Sequence, residues 1–193
     1  MKTINFLAVG TVAILAVIGV AARAQRDGAA SQSFANAEAV ADTAGNLHLP
    51  DTYRSTYEFL GSWTVAADKD QGSKAFHVVW ASRGSIGAYR KDGHFPDGAV
   101  LVKEVFETAT AQMTTGTVSH AEDLKGWFVM MRDSRGRYIG SKLWGDGWGW
   151  SWFDAGNSSK TTSTDYKKDC LGCHVPARGS DWIYVDGYPS LKR

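Results

Sequence analysis

The chain has 193 residues, 21 basic and 20 acidic side chains, and a formal charge of +1. That balance gives no electrostatic reason to expect nucleic acid or an anionic membrane surface as a partner. Eight Trp, seven Tyr and eight Phe, set against 21 Gly and only 4 Pro, favour strands and tight turns over a helical bundle.

The first 24 residues carry one Lys, an apolar run from Phe6 to Val20 and then Ala22-Arg23-Ala24. This is the layout of a secretory signal peptide, residues 1–24. An uncleaved membrane anchor is the rival reading. Gly10 and Gly19 interrupt the run and the cleavage signal follows at once, so cleavage is preferred and export to the periplasm is expected either way. Cleavage removes Lys2 and Arg23 and no acid, which turns the formal charge from +1 to −1. Residues 25–46 are small, polar and nearly free of aromatics, and read as a flexible leader. Residues 47–193 have the length of one domain with its own core.

Within that domain, residues 49–60 (LPDTYRSTYEFL) are predicted as a short helix with Asp51 available as a cap. Residues 76–81 (FHVVWA) read as a strand with Phe76, Val78 and Trp80 on one face and His77, Val79 and Ala81 on the other. A helical turn is expected to stop at Gly93, followed by a tight turn in HFPDG. Residues 100–108 form the next strand, with Leu101, Lys103, Val105 and Glu107 opposite Val100, Val102, Glu104 and Phe106. WFVMM (127–131) is an apolar strand, and LWGDGWGWSWF (143–153) places Trp148, Trp150 and Trp152 on one face. Residues 163–174 are predicted as a helix running into the only two cysteines, and WIYVDGYPSL as a closing strand and turn. The order predicts an α+β domain with a mainly antiparallel β-sheet and a few peripheral helices.

The cysteines, Cys170 and Cys173, stand in KKDCLGCHVP with His174 directly after them. A structural zinc site needs a fourth ligand, and there is no second pair at zinc spacing. A redox dithiol belongs early in the chain after a strand, and a disulfide across two residues closes too short a loop to stabilise much. Covalent c-type haem explains every residue: two thiols for the two vinyl groups and an adjacent imidazole, His174, for the iron. For a second axial ligand, Met130 and Met131 read as core filler, while His48, His94 and His120 read as surface residues. His77 lies inside a strand and reads as a buried histidine ahead of a ligand. An open distal position for a small ligand or substrate is therefore expected. Lys103, between Leu101 and Val105, either snorkels to a sheet edge or points inward; from the residues alone the edge reading leads.

The terminal haem motif, LHLPDTYRSTYEFLGSW, GHFPDGAVLVKEVFET and WIYVDGYPSL, in this order and spacing, resemble the cytochrome P-460 family over residues 47–191. The resemblance implies a homodimeric, largely antiparallel β fold with peripheral helices and a five-coordinate haem. It also implies that Lys103 bonds to a haem meso carbon, which turns this side chain inward. The family's enzymes oxidise hydroxylamine to nitrous oxide or nitric oxide and use a distal carboxylate. Asp165 stands at that place, one methylene shorter than the usual Glu; it is equally a helix-start acid. His77 stands where the enzymes can carry an arginine. The expected activity is hydroxylamine oxidation, with Asp165 and His77 handling protons and an electron-accepting periplasmic cytochrome as partner. The alternative is a nitric-oxide-binding relative like cytochrome c′-beta, with Phe76, Phe95 and Phe106 as distal caps, or an electron carrier with a sixth ligand.

Overall fold

The computed structural model describes residues 40–192; the expected signal peptide and most of the leader lie outside them. Six strands form one antiparallel sheet in the order β1-β2-β3-β4-β6-β5. They are β1 Glu58–Ala66, β2 Ser73–Ala81, β3 Val100–Met113, β4 Gly116–Arg132, β5 Trp144–Gly145 and β6 Trp148–Asp154. The helices are short: α1 Tyr53–Thr56, α2 Ser85–Asp92, α3 Tyr166–Asp169 and α4 Leu171–His174. The α+β, mainly antiparallel reading therefore holds. None of these helices is long and apolar enough to cross a membrane among the described residues.

The centre of the sheet is covered on both sides, and the two-residue period of the strands sorts side chains between them. One face carries Val79, Leu101, Met130, Trp148 and Trp150 and is covered by α2 and the C-terminal segment. The other carries Val100, Val102, Val129, Met131 and Phe153 and packs under Val40, Leu47 and Tyr53. Lys103 and Glu104 consequently point to opposite sides. Glu104 is 2% exposed. Its Oε1 accepts from Tyr53 Oη and Arg54 Nε, both at 2.6 Å, and its Oε2 accepts from Trp80 Nε1 at 3.0 Å. Register ties Val79 to Lys103 and Lys103 to Phe128 across β2, β3 and β4.

Four expectations are corrected. The helix predicted for residues 49–60 is a single turn with Thr52, not Asp51, at its N-cap position and no side-chain cap, and Glu58–Leu60 already belongs to β1, a strand the sequence reading missed. The helix predicted for 163–174 is broken at Cys170, whose φ of −131° leaves helical space. The closing strand is instead a run of 3₁₀ turns, Val185–Gly187 and Pro189–Leu191, because the chain reverses at Asp181 and Trp182, both with positive φ. Those turns lie against β1 through Ser190 Oγ donating to Leu60 O at 2.7 Å. Finally, residues 40–46 are not leader-like. Val40 is fully buried, Ala41 bridges Leu47, and Asp42 Oδ1 accepts from the amides of Ala44 and Asn46. α2 and strands β2 and β3 match expectation with longer ends.

Candidate functional site

A cavity of about 280 Å³ lies between the sheet and the C-terminal segment. Leu60, Val79, Leu101, Lys103, Phe128 and Met130 form its sheet wall, and Cys170, Cys173, His174, Ile183, Tyr184 and Tyr188 face them. The sequence motif and the lysine strand, far apart in the chain, thus meet across one space. Strand alternation puts Lys103 on this side, and helix α4 carries Cys173 and His174 one turn beyond Cys170.

Lys103 is the one charged side chain on the sheet wall. Its neighbours along and across the strands are Leu101, Val105, Val79 and Phe128, all apolar. No carboxylate pairs with it among the described residues, and its Nζ lies 4.4 Å from the centre of the Phe128 ring. Burial pulls its pKa below the ordinary 10.5, opposed by the two cysteines. A desolvated lysine holds more neutral amine, the form that makes covalent bonds.

Cys170 is buried and Cys173 exposed, and both are free thiols. Burial pushes the Cys170 thiol up to about 11, so it stays protonated. His174 Nδ1 lies 2.7 Å from the Trp182 carbonyl. A carbonyl only accepts, so Nδ1 carries the proton and Nε2 keeps its lone pair. Burial, the largest cause, lowers the His174 pKa, with Lys103 adding to it and the carbonyl bond opposing. The neutral ring is the ligating form. Its edge meets Trp150 with centroids 5.0 Å apart. Among the described residues no three His, Cys, Asp or Glu side chains gather as a metal-ion site, so the zinc reading finds no ligand set.

These features fit a haem: an apolar slot, two unpaired thiols on one wall, and an imidazole whose outer nitrogen is fixed by a carbonyl. The sequence model of the Cytochrome P460 family matches residues 50–185. The chain belongs to the cytochrome P460 family. No curated protein matches it. The family is one of haem cytochromes, and the matched span contains Lys103, Cys170, Cys173 and His174.

The other residues expected of a P460 cytochrome are distributed less simply. Asp165 caps α3, its Oδ1 accepting from the Lys167 amide at 3.0 Å, and it does not line the cavity. Asp169 does line it, and its Oδ2 accepts from the amides of Thr164 at 2.7 Å and Asp165 at 3.0 Å. His77 is on the Lys103 side of the sheet, between Trp63 and Val105, but is not a lining residue. Burial first, and the Lys103 charge second, push its pKa down to about 4, so the ring is neutral.

The three phenylalanines considered as caps are elsewhere. Phe76 and Phe106 pair on the Glu104 face, and Phe95 is core, its ring centre 4.8 Å from that of Tyr89 and tilted by 43°. Phe128 takes the cavity wall instead. Met131 is core filler as expected, whereas Met130 reaches the cavity. His48, His94 and His120 are exposed. No local pattern in the sequence marks Tyr184 or Tyr188 as cavity residues. The left-handed turn that brings them in depends on contacts far away in the chain.

Proposed function

We propose that this chain is a periplasmic c-type cytochrome that oxidises hydroxylamine, to nitrous oxide or nitric oxide, at an open position on its haem. The observation that carries the reading is Lys103, a desolvated amine without an acidic partner among the described residues, across one cavity from Cys170, Cys173 and His174. Cys170 and Cys173 would hold the macrocycle by adding their S–H groups across its vinyls, which needs no oxidant. His174 would ligate the iron through Nε2. Lys103 would bond a ring carbon through its amine, one N–H and one C–H giving way to the N–C bond while a peroxide-class oxidant takes up the electrons and hydrogens.

When bound, the haem supplies the redox-active iron; the protein supplies orientation, dryness and proton handling. The Trp182 carbonyl fixes the His174 tautomer. Leu101, Phe128 and Met130 keep the substrate side apolar. Neutral His77 offers a proton acceptor on the Lys103 side, with Asp165 as the second candidate. Hydroxylamine oxidation also releases electrons, so the reading includes an electron-accepting periplasmic cytochrome, and we take the working unit as a homodimer.

One observation favours a second reading, a nitric-oxide-binding protein: Asp165 is occupied as a helix cap and leaves the cavity without that carboxylate. Peptide mapping of the matured protein separates the two. Under the enzyme reading, trypsin leaves the bond after Lys103 uncut and one haem species joins that peptide to the Cys170–Cys173 peptide. Haem on the cysteine peptide alone, with clean cleavage after Lys103, sinks the enzyme reading in favour of the binder.

A further inference from the structure

Beyond the cavity, the residues that orient His174 form a small device of their own. After the motif, the 3₁₀ turn Val175–Ser180 ends in Asp181 at φ 60°, and Trp182 follows at φ 68°. Asp tolerates the left-handed region; a bulky Trp there is a rare conformation that its surroundings must enforce. The carbonyl of this Trp182 is the group that accepts from His174 Nδ1 at 2.7 Å.

The enforcing contacts converge on the Asp181 carboxylate. Its Oδ2 accepts from the Phe95 amide at 2.8 Å, and its Oδ1 lies 3.4 Å from Arg132 Nη2. Both side chains of this ion pair are largely buried, at 15% and 8% exposure. Arg132 is pinned in turn: Nη1 donates to Gly147 O at 2.6 Å, and the guanidinium lies 5.4 Å from the Trp148 ring centre. Asp181 therefore fastens the turn to the end of β4 and to the loop after α2.

We infer that Asp181 is a positioning residue for the haem ligand: clamped by Arg132 and the Phe95 amide, it holds the left-handed turn that aims the Trp182 carbonyl at His174. The consequence is electronic as well as steric. A firm Nδ1–H···O=C bond makes the imidazole a stronger donor to the metal and favours its oxidised state. This inference rests on the haem reading of the site.

The test uses the full-length protein with haem attached, checked by mass. Two properties are read: the ferrous iron–histidine stretching band by resonance Raman, and the midpoint potential. For Asp181→Ala the band should move to lower wavenumber and the potential should rise by about 59 mV, the one-electron equivalent of a tenfold change. Asp181→Asn keeps an acceptor for the Phe95 amide and should move both in the same direction by less. A haem-loaded Asp181→Ala protein with both properties unmoved overturns the inference. Should that variant fail to mature, Asp181→Asn and Arg132→Gln decide by the same readings, and wild-type values in both overturn it. A wild-type protein that carries no haem is a different failure, that of the haem reading itself.

Discussion

Replacing Glu104 by Ala should unfold the reverse face of the sheet's centre. The carboxylate is 2% exposed and takes hydrogen bonds from Tyr53, Arg54 and Trp80. Water can replace the carboxylate for Arg54, whose side chain is 58% exposed, so that pair contributes at most about 1 kcal/mol. The buried Tyr53 hydroxyl has no such exit, and the half-buried Trp80 indole only a partial one. Each loses its acceptor, at about 1–3 kcal/mol apiece with Trp80 toward the low end. The loss should total about 3–5 kcal/mol, in line with breaking a buried charged pair. For a domain of this size that is a fall in Tm on the order of 10 °C. Urea midpoints and thermal scans of the haem-loaded protein measure it, with Glu104→Gln expected between wild type and Ala. If Glu104→Ala stays within about 0.5 kcal/mol of wild type at an unchanged denaturant slope, the reasoning is refuted.

His77 gives a pH prediction. Its folded pKa of about 4 lies below the ordinary 6.5, so the unfolded chain takes up the proton first. The stability this neutral ring contributes is complete above pH 6.5 and is lost as pH falls toward 4. His77→Phe should flatten urea midpoints across that window; an unchanged slope would assign the loss to other groups. Asp165→Ala removes the α3 cap and should cost about 0.5–2 kcal/mol of stability. A hydroxylamine kcat lowered about a hundredfold at equal haem loading would confirm Asp165 as the second proton acceptor, and an unchanged kcat would leave that role to His77 alone. In Gly187→Ala the new Cβ would stand 1.8 Å from Trp63 Cζ2, so the ring or the turn must shift. That should cost about 1–3 kcal/mol and change the near-UV CD signal, whereas wild-type spectra and stability would mean the turn yields freely.

The parts of the fold legible in the sequence are those governed by local alternation. FHVVWA and VLVKEVFET display their two faces directly, and the separation of Lys103 from Glu104 follows from the period alone. Reading LPDTYRSTYEFL as a helix failed because apolar spacing suits both states over so short a span. The outcome was set by β1 pairing with β2 along Glu58–Ala66. WIYVDGYPSL has the composition of a strand, but left-handed Asp181 just before it and Trp182 at its start turn the chain along the β1 edge. The haem motif was readable because its chemistry is contiguous. Its supports were not: Arg132, Phe95 and Asp181 are brought together by long-range packing, and no local pattern marks them. The aromatic caps failed for a related reason. Phe76 and Phe106 follow strand parity onto the far face, and Phe128 on β4 was hidden within an apolar run.

The division of the cavity between an early sheet and a late segment also sets an order of events. Everything needed for the sheet wall precedes Cys170 in the chain. The wall's Leu60, Val79, Leu101, Phe128 and Met130 then have only part of their cover, from α2 and the loop after it, until the last stretch arrives. A haem bound there would add apolar contacts to that side of the core and stabilise the folded chain by linkage. A chain without it would keep an apolar cavity under its C-terminal cover, which would open more readily to proteases or to its own copies. Under the haem reading, supply of the cofactor would thereby govern how much of the protein survives, ahead of any effect on its activity.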